Sequence, residues 1–286
     1  MAQYSVSAQA TDKHPFPHKT IMEIFQKLTQ AQGFFNSRIK YYPTVNGDRR
    51  AAELCTFSQP IFNPHHLEND VGKSKRVAEE DLEEVNECSL SDASLRRARK
   101  RVFDLAACNY DCNMMLTLTL NGEDFPRDDW NAIVHRLNVW LDNMVRRHGM
   151  KYIFVPELHK DGKSIHFHGF VNEGALTLER ATNAKTGKPL FQKGRAVYNC
   201  VNWKYGFTTA VRLGGTDVDR LNTAKYILKY ITKAVEASGK IGGRYYLHGG
   251  KLAEPSYEYF NADFDEVEGY EVQITNGLSC KVHTLI

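Results

Sequence analysis

Two strand-like runs, 151–157 and 164–171, flank Asp161-Gly162, the strongest short signal for a tight β-hairpin. If these two residues form the loop, Lys160 faces Lys163 and Glu157 falls directly opposite His166. The second run reads Ile165-His166-Phe167-His168-Gly169-Phe170, and strand alternation sends both imidazoles out of the same face. Directly opposed side chains have β-carbons about 5 Å apart. Glu157, His166 and His168 therefore converge as one carboxylate and two imidazoles. His159, opposite Ser164, is a weaker candidate on the same face. The set suits Mg²⁺ or Mn²⁺, although imidazole also accepts zinc. The plain alternative is two polar residues on a wet strand.

The rest of the pattern predicts what the hairpin packs against. Met114-Met115-Leu116-Thr117-Leu118-Thr119-Leu120 reads as a buried strand ending at Asn121-Gly122. Over 128–148, Trp130, Ile133, Val134, Leu137, Leu141, Met144 and Val145 recur at helical spacing, an amphipathic helix for that strand. An insertion over 174–195, a strand at 206–213, a helix at 217–237 and a short strand at 244–247 follow. The order predicts an α+β fold of the ferredoxin-like kind, a central antiparallel sheet with helices mainly on one face.

Ahead of this region the signals thin out. Residues 20–32 carry a helical pattern, Tyr42-Pro43, Asn46-Gly47 and Phe62-Asn63-Pro64 mark turns, and the acidic run 79–87 reads as a solvated linker or helix face. Ser91-Asp92-Ala93-Ser94 is a capping sequence for a helix with Leu95, Ala98, Val102, Leu105 and Ala106 on one side. Its other side carries Arg96, Arg97, Arg99, Lys100 and Arg101, candidates for holding a nucleic-acid backbone, or else a solvated basic face.

The helix at 217–237 contains Tyr226-Ile227-Leu228-Lys229-Tyr230-Ile231-Thr232-Lys233. At about 100° per residue, Tyr226, Lys229, Tyr230 and Lys233 share one side, with Ala224, Ile227, Leu228, Ile231 and Val235 opposite. An unperturbed phenol titrates near pH 10, so a nucleophilic tyrosine needs a cation or metal close by. Each tyrosine has a lysine three residues on. Beside a metal-bearing hairpin, such a phenolate is placed to attack a phosphodiester and keep the bond energy in a tyrosyl phosphate.

Composition bounds these readings. A hydrophobic content of 42% with 25% charged residues is that of a globular chain. The net charge of +3 does not announce a nucleic-acid partner on its own. No stretch is long and apolar enough for a membrane span, and the N-terminus lacks an apolar signal region, so a soluble, cytoplasmic protein with no membrane partner is expected. The six cysteines read as free thiols, because Cys108 and Cys112 lack a second pair at zinc spacing. The expected division is an N-terminal extension over 1–90, a catalytic domain over 91–255 and a C-terminal segment over 256–286.

In order and spacing, the Thr-rich strand 116–120, His166-Phe167-His168 and the tyrosine helix resemble rolling-circle replication proteins of the HUH endonuclease superfamily. The doubled Tyr-x-x-Lys is similar to the two-tyrosine initiators of small single-stranded DNA phages. Ser94-Leu95-Arg96-Arg97-Ala98, the segment from Val155 to Gly162, Tyr198-Asn199 and Gly206-Phe207 extend the likeness. The resemblance implies an RRM-like nuclease fold with His166 and His168 as metal ligands, Glu157 as third ligand, and Tyr226 and Tyr230 as nucleophiles. It also implies nicking of single-stranded or cruciform origin DNA in a bacterial host, with a 5′-phosphotyrosine and free 3′-hydroxyl as product and host helicase and polymerase as partners. A relaxase places its tyrosine before the histidines, whereas here it follows them. A single-strand transposase of this type is a shorter chain with one tyrosine. A non-enzymatic reading is a single-strand or RNA-binding module that stacks bases on the strand His168-Gly169-Phe170-Val171.

Overall fold

The computed structural model describes residues 34–62, 87–123, 129–158, 165–238, 244–275 and 277–285, with backbone alone at 87–93, 130, 230, 232–238 and 275. The helical pattern at 20–32, the Asp161-Gly162 turn and His159 lie outside the described residues. The chain divides into two compact units: Met1–Tyr41, Ala51–Val77 and Tyr257–Ile286 form one, and Tyr42–Arg50 with Ala78–Ser256 the other.

β1 (Ser37–Pro43) and β2 (Arg49–Phe57) join through the turn at Asn46-Gly47, and their residues outside Tyr42–Arg50 belong to the smaller unit. They share a five-stranded sheet, ordered β11-β1-β2-β13-β12, with β11 (Ser256–Phe260), β12 (Tyr270–Thr275) and β13 (Leu278–Thr284). Chain beginning and chain end thus form one sheet, and Asn36 ties them further through its amide to Ala262 O at 2.8 Å. Cys55 and Cys280 face each other there with Sγ atoms 3.0 Å apart. Both thiols are free, and burial together with the neighbouring thiol pushes Cys55 up to about 12.

The larger unit holds the eight-stranded sheet. Its order is β10-β4-β5-β3-β9-β8-β6, built from β3 (Met114–Leu120), β4 (Tyr152–Leu158), β5 (Ile165–Val171), β6 (Leu178–Arg180), β8 (Arg195–Cys200), β9 (Gly206–Arg212) and β10 (Leu247–Gly249), with β7 (Phe191–Gln192) on β8. The strand pairs are antiparallel. With α1 (Glu87–Cys108), α2 (Trp130–His148) and α3 (Asp217–Ser238), this is the α+β fold expected.

β3 shows how the sequence makes two different faces. Met114, Leu116, Leu118 and Leu120 are buried, while the alternate Met115, Thr117 and Thr119 are half-buried. The leucine side packs on Ile133, Leu137, Leu141 and Met144 of α2 in a cluster that includes Phe154 and Phe167. Asp129 caps α2, its carboxylate accepting from the amides of Asn131 and Ala132. Gly169 lies on this side because Phe154 crosses it: a β-carbon there would sit 2.2 Å from Ile153 O and 2.4 Å from the Phe154 ring.

α1 and α3 lie on the opposite, threonine side. Val102, Leu105 and Ala106 of α1 and Ala224, Ile227 and Ile231 of α3 pack with Ile153, Val155 and Phe170. α1 starts at Glu87, ahead of the capping sequence 91–94, which therefore lies inside the helix. Glutamate is a strong helix former and suits a first turn, so the end of the acidic run continues the helix rather than linking to it. α3 opens with a reciprocal cap: Thr216 Oγ1 donates to Asp219 Oδ2 at 2.7 Å, and Asp219 N donates back to Thr216 Oγ1 at 3.1 Å. Behind it the buried guanidinium of Arg220 donates to Cys112 O at 2.7 Å and to Tyr110 O, tying α3 to the segment after α1. The short strand expected at 244–247 is β10, later by a few residues. No helix among the described residues is long and apolar enough to cross a membrane.

Candidate functional site

The β4–β5 register places Glu157 opposite His166 and Val155 opposite His168, as the two-residue loop predicts. On the other side of β5, Thr119 is opposite His166 and Thr117 opposite His168. Beyond β3, Phe207 of β9 is the partner of Thr119 and Thr209 the partner of Thr117. Two rows therefore cross the same face: Glu157, His166, Thr119, Phe207, and next to it Val155, His168, Thr117, Thr209.

The threonines hold the imidazoles. Thr117 Oγ1 lies 3.1 Å from His168 Nδ1, and Thr119 Oγ1 lies 3.3 Å from His166 Nδ1. In the tautomer with its proton on Nδ1, each ring donates to its threonine and offers the Nε2 lone pair to a ligand, the usual support of a metal-binding histidine. Glu157 Oε2 is 2.9 Å from His168 Nε2, so the carboxylate reaches the diagonal histidine. The rings lie near-parallel, 17° apart with centroids separated by 6.2 Å. No three His, Cys, Asp or Glu side chains form a ready cage among the described residues. Glu157 and His168 already meet; His166 stands beside them on the same face, and its ring must tip inward to share an ion with them.

α3 packs on this same face, its Ala224, Ile227 and Ile231 lying against Val155, Ile153 and Phe170. That contact fixes the helix's rotation and leaves Tyr226 38% exposed. Lys229 Nζ lies 5.7 Å from the Tyr226 ring centroid and Lys193 Nζ 5.9 Å from it. Tyr230 follows one turn later in α3; its side chain and that of Lys233 lie outside the described residues. The basic side of α1 divides. Arg96, Arg97 and Lys100 are exposed and Arg99 is half-buried, whereas Arg101 pairs with Glu254.

Three features escape a reading of sequence alone. Thr117 and Thr119 stand out there only as a Thr-rich strand, although their spacing of two beside a His-x-His strand signals the support they give. Lys193 comes to Tyr226 from a remote hairpin. Phe207 is 71% exposed in the row of His166, whereas Phe170, the aromatic expected to stack bases, is fully buried beneath the helices.

Residues 113–235 match a family model of replication-associated proteins, the ORF2 type. The matched stretch runs from β3 to α3, so it contains both histidines, the two threonines and the tyrosine helix. This likeness to replication-associated proteins supports a role in initiating replication. No curated protein and no solved structure matches the chain.

Proposed function

We propose that the chain is a rolling-circle replication initiator of the HUH type, which nicks one DNA strand at an origin with tyrosine and later rejoins the ends. The observation that carries the reading is the packing of α3 on the histidine-bearing face, which sets Tyr226 and the threonine-anchored imidazoles on one side of one sheet.

Two imidazoles and a carboxylate, with both rings tethered through Nδ1, fit a divalent ion such as Mg²⁺ or Mn²⁺, which His166, His168 and Glu157 would hold once the His166 ring tips inward. Such an ion supplies positive charge against the non-bridging oxygens of a scissile phosphate. The chain's own groups do the rest. The phenolate oxygen of Tyr226 attacks phosphorus, the P–O3′ bond breaks, and its electron pair leaves on the 3′-oxygen, which takes up a proton. One phosphoester bond is exchanged for another, so attack by a 3′-hydroxyl on the tyrosyl phosphate reverses the step. Lys229, beside the ring, puts a positive charge next to the attacking phenol and the incoming phosphate. Tyr230 offers a second nucleophile one turn away, so that one tyrosine holds the first 5′ end while the other cuts the regenerated origin. Single-stranded or cruciform origin DNA is the substrate, with a host helicase and polymerase extending the 3′ end.

The test is formation of a covalent, denaturant-resistant protein–DNA adduct on a single-stranded origin oligonucleotide. Adduct should form with Mg²⁺ or Mn²⁺ and vanish with chelator. Undiminished adduct in chelator would remove the metal from the account.

A further inference from the structure

β7 and β8 pair with Gln192 opposite Arg195, leaving Lys193-Gly194 as a two-residue loop. Both have positive φ, 49° and 76°, the pattern of the primed turn that matches the twist of a hairpin. Gly194 suits its position, but a lysine at the first fits poorly, since this turn prefers Asn, Asp or Gly there. Lys193 is the one non-glycine residue with positive φ among the described residues. A strained side chain at a turn tip is informative when it reaches something, and this one reaches Tyr226. Its Nζ stands 5.9 Å from the phenol ring, and the Nζ of Lys229 stands 5.7 Å from the same ring. Two ammonium groups thus stand near one exposed ring, where together they offer positive charge to an anion that approaches the phenol.

We infer that Lys193 is a phosphate-binding residue: with Lys229 it forms a two-lysine clamp at Tyr226 for the sugar–phosphate backbone of a single DNA strand. The inference rests on the proposed tyrosine chemistry for its meaning, because the clamped phosphate would be the scissile one or its neighbour. The contact itself is sequence-independent, with the hairpin reaching across to the helix. Phe191, 66% exposed beside the turn, and Arg180, whose guanidinium lies 4.6 Å from the Phe191 ring, continue a basic and aromatic surface of the kind that holds single strands.

Asparagine suits this turn better than lysine, so Lys193→Asn removes the charge without loosening the hairpin, and Lys193→Arg keeps the charge. Binding of the full chain to a fluorescent single-stranded oligonucleotide is measured by anisotropy over a range of KCl concentrations, with adduct formation by the wild type followed in parallel. Loss of one phosphate contact lowers the slope of log affinity against log salt by about 0.7 and weakens binding several-fold, roughly equally for different sequences. The expected result is that change in Lys193→Asn, near-wild-type binding in Lys193→Arg and a melting temperature no lower than wild type in Lys193→Asn. An unchanged slope and affinity in Lys193→Asn would overturn the clamp, and so would a loss that Lys193→Arg fails to restore. A wild type that binds with the predicted Lys193 dependence but forms no adduct would leave the clamp standing and defeat the nicking reading instead.

Discussion

The two faces of the eight-stranded sheet use the same strands for opposite ends. On one, Leu116, Leu118, Phe154 and Phe167 meet α2 in a dry core. On the other, Thr117, Thr119, His166 and His168 remain half-buried beside α3, linked by hydrogen bonds rather than packed by methyl groups. The second face also has a buried core where α1 and α3 cover Ile153, Val155 and Phe170, but β3 meets it with half-buried threonines and not leucines, so substitutions one residue apart on β3 should have unlike consequences.

The largest contrast sets the histidines against a leucine. His166→Ala with His168→Ala should lower adduct formation by about a thousandfold or more while changing stability by less than about 1 kcal/mol, because the role proposed for both imidazoles lies at the scissile phosphate and neither belongs to the packed core. Leu118→Ala, from the other face, should cost about 3 kcal/mol in denaturant unfolding and leave adduct formation near normal while the protein is folded. A double histidine variant that unfolds and a Leu118 variant that does not would invert the comparison.

A smaller effect sharpens it. Thr117→Val keeps the shape of the strand but removes the hydroxyl at His168 Nδ1. Metal affinity should fall about 10- to 100-fold, read as a rightward shift of the Mn²⁺ dependence of cleavage. An unshifted titration would reduce Thr117 to strand packing. Next in size, Phe207→Ala should weaken single-strand binding by about 1–3 kcal/mol with no loss of stability, since a ring 71% exposed stabilises little in the free protein. Equal affinity for both proteins would show that no base stacks there.

The smallest effect concerns the cap that orients α3. Hydrogen bonds from Thr216 hold the Asp219 carboxyl below the usual carboxylate range. Because the folded state lowers this pKa, its contribution to stability is present above the ordinary carboxylate value and is lost as pH falls through the depressed one. Protection against hydrogen exchange in the first turn of α3, taken relative to the intrinsic rate at each pH, should therefore fall on acidification in the wild type. Asp219→Asn should show the lower protection already at neutral pH and little further change.

What the sequence makes legible follows from range. The β4–β5 register, with Glu157 opposite His166, is the one that a two-residue loop at Asp161-Gly162 predicts from sequence; the alternation of β3 and the spacing of α2 and α3 are likewise local. β8, which begins where the expected insertion ends, is short and held by its neighbours β6 and β9 rather than by its own pattern. The pairing of β1 with β11, and of β2 with β13, joins opposite ends of the chain, where no local signal exists. Side-chain destinations are harder still: Arg101 reads as one of five equivalent cations until Glu254 is found opposite it, and the exposure of Phe207 depends on which strands α3 covers.

Mass spectrometry of the protein–DNA adduct tests the central claim most directly. Wild type, Tyr226→Phe, Tyr230→Phe and the double variant are each reacted with a single-stranded origin oligonucleotide and Mg²⁺, and the modified peptide is sequenced. The expected result is a 5′-phosphotyrosine within α3 and a free 3′-hydroxyl in the wild type, adduct on the remaining tyrosine in each single variant, and none in the double variant. Total loss in one single variant alone would make this a one-tyrosine enzyme. An adduct that survives in the double variant, or cleavage that leaves no protein on the DNA, would contradict a tyrosine nucleophile on this helix.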